Sequence, residues 1–143
     1  MRLGRRLRTF WRMPGEQRQF VGEAILLLGI ARVLVLAVPF RRLVPWLERA
    51  PETDFPCDQA LVLRVRRAVM IAARNVPWNA VCLPQAMAAK AMLGRRGCGS
   101  SFHLGAGFAK EGKLIAHAWL VAGGTVVVGA AGISGVQPLA RFG

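Results

Sequence analysis

Cysteine and histidine are the side chains in this sequence best suited to covalent chemistry, and they are few: Cys57, Cys82, Cys98, His103 and His117. Cys82 opens the run Cys82-Leu83-Pro84, which starts a helix because proline is favoured in a helix's first turn. Unpaired amides and the helix dipole favour an anion at that position, and the thiolate is the attacking form of cysteine. A lone cysteine is more often an inert buried residue, so the helix-start position is what singles Cys82 out. Cys57 follows a proline in an irregular stretch and Cys98 follows the helix stop at Gly97; both read as structural. The base must be His103 or His117, each on a strand and each, by default, a satisfied half-buried residue. On the second strand Ile115, His117, Trp119 and Val121 share a face, which sets an indole beside the imidazole and shields it from water. Cys82 as nucleophile and His117 as base is the resulting assignment.

A Cys–His pair commonly has a third group that orients the imidazole. The last acidic residue is Glu111, so no carboxylate follows His117, and Gln137, Ser134 or a backbone carbonyl are the substitutes at hand. Asn79 and Gln85 flank Cys82 as oxyanion donors, with a turn or cap role as the plain alternative for Asn79. No metal-protease, P-loop or dinucleotide motif occurs, and the cysteines do not make a four-ligand site, so neither a metal nor a cofactor is expected. Gly105 and Gly107 lie inside a strand pattern, where they permit close backbone packing or a substrate strand alongside.

These groups need a scaffold. Residues 1–15 are arginine-rich with little periodicity and end at Pro14-Gly15, which reads as a basic flexible arm. From Glu16 to about Val38 runs an apolar helix, and residues 44–56, with Pro45, Pro51 and Pro56, read as a linker; together these make an N-terminal region over 16–56. Residues 57–143 form the core. Asp58 caps a second helix whose Leu61, Val62, Val65, Ala68, Val69 and Ala72 recur at helical spacing, and the pattern breaks near Asn75 to Asn79. After the Cys82 helix the period falls to two: strands over Ser101–Phe108 and Leu114–Val121, a Gly123-Gly124 hairpin, a return strand Thr125–Val128, and a glycine-rich remainder wrapping the sheet edge. Helices first and an antiparallel sheet second make the fold class α+β.

The chain has 143 residues, 54% of them hydrophobic, which is enough for one core and too little for a second large domain. Three unevenly spaced cysteines are too few for a disulfide framework, and a reducing, cytoplasmic setting is the expectation. Against 7 acidic residues stand 20 Lys and Arg, a net charge of +13 that favours anionic partners. Nucleic acid is not expected, since there is no tyrosine, no recognition motif and no basic stripe interleaved with aromatic residues. A membrane surface suits the charge but is not predicted, and Glu23 and Arg32 leave the apolar runs of the helix too short for a transmembrane span.

The segments PWNAVCLPQAMAAKAMLGRRG, SFHLGAGF and AHAWLVAGGTVVVGA, taken in order, resemble the B2 proteins of lasso-peptide biosynthesis, which are transglutaminase-like leader peptidases; EAILLLGIARVLVLAVPFRRL is similar to that family's N-terminal helical region. The resemblance runs from about Glu23 to Phe142. It implies a papain-like or transglutaminase-like core with the nucleophile at a helix N-terminus, and a cysteine protease that removes the leader from a ribosomally made precursor before a separate lasso cyclase closes the core peptide. Cys82 carries over as nucleophile and His117 as base, while the family's aspartate has no counterpart from Val126 to Gly132. A leader-binding domain has no room before Glu16, so a separate leader-binding B1 protein is the expected partner. Rival readings are an acyl transferase using the same pair, and a non-catalytic or membrane-associated scaffold of the maturation complex.

Overall fold

Five helices precede four strands in the structure, a computed structural model that describes residues 2–48, 57–76, 82–108, 112, 114–129 and 137–142. The helices are α1 (Arg2–Arg12), α2 (Gly15–Ala37), α3 (Phe40–Glu48), α4 (Gln59–Asn75) and α5 (Cys82–Arg95). The strands are β1 (Ser101–Phe108), β2 (Leu114–Ala122), β3 (Thr125–Val128) and β4 (Gln137–Phe142), forming one sheet in the order β3-β2-β1-β4 with every pairing antiparallel. This is the α+β class expected from the change of hydrophobic period.

Local chemistry explains the boundaries. Asp58 N-caps α4, its carboxylate accepting from the Ala60 amide at 3.1 Å. Gly123 and Gly124 both have positive φ, 57° and 76°, the backbone a tight two-residue hairpin needs between β2 and β3. The core is shared by all layers. Val21, Ala24, Leu28 and Ala31 of α2, the buried face of α4, and Met87, Met92 and Leu93 of α5 meet Phe102, Leu120 and Val127 of the sheet. On β2 it is Ala118, Leu120 and Ala122 that join this cluster, so His117 and Trp119 occupy the alternate positions.

Polar contacts fix the layers relative to one another. Glu23 of α2 receives Arg95 at 2.8 Å and Arg96 at 2.6 Å, and the Arg96 guanidinium lies 4.4 Å from the centre of the Phe20 ring. The hydrogen bond from Arg96 holds the Glu23 carboxyl below its ordinary range, against the opposing pull of burial. Gln59 donates to Thr125 Oγ1 at 2.8 Å, tying the start of α4 to β3. Lys90, buried in the middle of α5, donates to the Ser100 carbonyl at 3.0 Å, and burial pushes its pKa down.

Four expectations from the sequence change. The N-terminal arm is helical over Arg2–Arg12: Phe10 packs against the core, and Leu3, Leu7 and Trp11 repeat every four residues, a pattern that its arginines obscured. The proposed linker begins late, because α3 continues through Pro45 to Glu48; burial of Leu43 and packing of α3 on β1 and β4 offset a proline cost of about 3 kcal/mol. Residues 49–56 lie outside the described set. Cys57 and Cys98 are not merely packed but joined in a disulfide, a single crosslink between the start of α4 and the end of α5. Finally, the C-terminal remainder adds a strand: β4 pairs with β1, opposing Pro138 to Gly105 and Gln137 to Ala106, so the strand accommodated beside those small residues is the chain's own.

Two outcomes follow from these crosslinks. A Cys57→Ser/Cys98→Ser variant should unfold with about 2–4 kcal/mol less stability in denaturant titration, since the bond closes a loop across 41 residues. Glu23, whose folded pKa is depressed, stabilises the fold above the ordinary carboxylate range and loses that contribution as pH falls through its folded pKa. Glu23→Gln should therefore flatten the acid limb of the melting temperature measured below about pH 4.5.

Candidate active site

Cys82 is the first residue of α5, half-buried, and the only cysteine outside the disulfide. The first turn of α5 carries no acidic residue, and Arg95 stands in its last turn. Leu83 packs against the core and Pro84 is buried, which anchors this end of the helix. Gln85 follows in the same turn; Asn79 lies outside the described residues.

His117 is half-buried on β2, the strand against which α5 packs. Its ring is stacked beside Trp119, with centroids 6.2 Å apart and planes inclined by 19°. His103 is directly opposite Trp119 in the β1–β2 register and stacks on the same indole at 5.4 Å. Both imidazoles therefore share one face of the sheet around a nearly buried tryptophan, so the indole beside His117 is as the strand alternation implied.

The sequence holds no carboxylate after His117 to serve as a third group. His117 Nε2 lies 2.7 Å from the Gly129 carbonyl oxygen. A carbonyl can only accept, so in the neutral ring Nε2 carries the proton and Nδ1 is left as the basic lone pair. A backbone carbonyl is thus the orienting group at this ring. It fixes ring orientation and tautomer as a side-chain oxygen would, while supplying a dipole in place of a full charge to an imidazolium. Gln137 opens β4, two strands from β2 and so about 10 Å from its nearest β2 counterpart in register, Ala116. Ser134 is outside the described residues.

Gly129 is constrained to be glycine. Its φ is +88°, and a Cβ there would sit 2.6 Å from the Ala118 oxygen and 2.7 Å from the Trp119 Cβ. The close approach that brings the carbonyl to His117 therefore depends on the absent side chain. In the sequence the only trace is a glycine ending the apolar run Thr125–Val128.

Among the described residues, α5 packs on the face of β2 that carries Ala118 and Leu120, His117 stands at an alternate position of that strand, and no hydrogen bond joins the Cys82 thiol to the His117 ring. Free-enzyme geometry is commonly looser than that of the substrate complex. No group of three or more metal-ligating side chains occurs among the described residues.

A family model described as the transglutaminase-like superfamily matches residues 24–141. That superfamily consists commonly of cysteine peptidases and acyl transferases. No curated protein and no solved structure matches the chain.

The Gly129 contact has a direct spectroscopic consequence. Nitrogen–proton correlation spectra should show neutral His117 protonated on Nε2, and Gly129→Ala should shift that signal while lowering stability by about 1–3 kcal/mol in denaturant unfolding.

Proposed function

The chain belongs to the transglutaminase-like superfamily, and from that premise we propose that it is a cysteine leader peptidase that cleaves the leader from a ribosomally made lasso-peptide precursor. The observation that carries this reading is the His117–Gly129 contact, which leaves Nδ1 of a half-buried imidazole as the proton-accepting nitrogen.

In the proposed reaction His117 Nδ1 takes the thiol proton and Cys82 Sγ adds to the scissile carbonyl carbon, giving a tetrahedral oxyanion. Collapse breaks the C–N bond. The imidazolium returns its proton to the departing amine, and a thioester to Cys82 remains. Water then adds to the thioester, with His117 accepting its proton, and expulsion of the thiolate releases the leader's new carboxylate. The amides in the first turn of α5, where Gln85 also stands, are the donors toward the oxyanion in this account. Cys82 and His117 are the catalytic pair in this account, and Gly129 is a positioning residue.

A leader-binding partner made as a separate protein would present the precursor as an added β-strand, so that binding energy remote from the bond supports cleavage; a lasso cyclase would take the released core peptide. The same thioester can pass to an amine, which keeps acyl transfer as the second reading, favoured by the breadth of the superfamily.

The test is mass spectrometry of a cognate precursor incubated with this protein and its leader-binding partner. Cleavage at the leader–core junction should be abolished in Cys82→Ala and fall about 100-fold or more in His117→Ala, with both variants folded. A product that gains the mass of an added amine in place of water would establish transfer. Cleavage indifferent to Cys82 would overturn the catalytic reading and favour a non-catalytic scaffold.

A further inference from the structure

The N-terminal helices carry an apolar surface that the fold leaves uncovered. On α1, Leu3, Leu7 and Trp11 are 70%, 52% and 66% exposed and lie on one stripe at four-residue spacing. On α2, the outward residues Leu26, Ile30, Val33 and Leu36 are likewise exposed. Ile25 lines both the groove beneath α1 and the patch on α2, so the two surfaces are continuous.

The charges around this surface are of one sign. Arg5, Arg6, Arg8 and Arg12 are exposed on α1, which contains no acidic residue, and Arg32 lines the α2 patch. The nearby carboxylates are already engaged: Glu16 pairs with Arg64, and Glu23 with Arg95 and Arg96. An occupant of this surface must therefore offer apolar contact and negative charge together. A second copy would bring arginines against arginines, so like-charge repulsion disfavours self-association.

We infer that α1 and the outward face of α2 form a docking surface for an anionic lipid bilayer, lying in the plane of the headgroups with Leu7, Trp11, Leu26 and Val33 inserted and the arginines on lipid phosphates. By length and composition α2 is apolar enough to cross a membrane. Its inner face, however, is bound into the protein: Val21, Ala24, Leu28 and Ala31 are buried in the core, and Glu23 is held by two arginines of the α5 end. The helix thus lies on the bilayer with its outer stripe in the acyl boundary. The proposal is independent of the reaction assigned to Cys82.

The test is flotation of the full chain with vesicles of phosphatidylcholine alone or phosphatidylcholine with phosphatidylglycerol, at low and high salt. Binding should require phosphatidylglycerol, weaken with salt, and fall at least about tenfold in Leu7→Glu/Trp11→Glu, in Leu26→Glu/Val33→Glu and in Arg5→Glu/Arg6→Glu/Arg8→Glu. All these side chains are exposed, and circular dichroism will register whether each variant keeps its helices. Equal binding to both vesicles, binding unchanged in folded variants, or no binding would overturn the proposal. Sedimentation equilibrium showing dimers that Leu26→Glu/Val33→Glu dissolves would overturn it in favour of an interface between copies.

Discussion

The packing of α5 across β2 and β3 is the constraint on which the other features rest. Met87, Met92 and Leu93 of α5 share one buried cluster with Leu120, Val127 and Val128 of the sheet, and α2 and α4 also pack on α5. At the start of that helix Pro84 is buried, and Cys82 and Leu83 are half-buried and packed against the core. The buried Lys90 and the Cys57–Cys98 bond reinforce the same element, one tying its middle and the other its end to neighbouring segments. The nucleophile candidate is thus placed by a rigid helix and not by a loop.

At the other partner the sheet supplies both orientation and shelter. Trp119 is shared by His103 and His117, and Gly129 brings its carbonyl to His117 only because β3 ends in a conformation that excludes a side chain. A carbonyl in this role preserves the tautomer needed for a base without adding a charge.

Much of this was legible in the chain because the relevant signals are local. The 3.6-residue period with the Asp58 cap announced α4, the Pro84 signal placed the start of α5 at Cys82, and strict alternation around His117 and Trp119 placed them on one face. What escaped was decided at long range. Arginine density concealed the stripe of α1, Pro45 argued against a helix that packing on β1 and β4 sustains, and a cysteine pair separated by 41 residues gives no sign of proximity. A backbone carbonyl leaves no residue-type signature at all, so the group that orients His117 could be named only as a kind. Asn79 and Ser134 fall outside the described residues.

Coupling between Cys82 and His117 is the central claim, and Cys82, the only cysteine outside the disulfide, makes it directly measurable. The rate of iodoacetamide alkylation at neutral pH, followed by peptide mapping, reports thiolate reactivity without substrate or partner. The account predicts rapid modification at Cys82 that slows at least about tenfold in His117→Ala and is unchanged in His103→Ala. Equal rates in wild type and His117→Ala would contradict it.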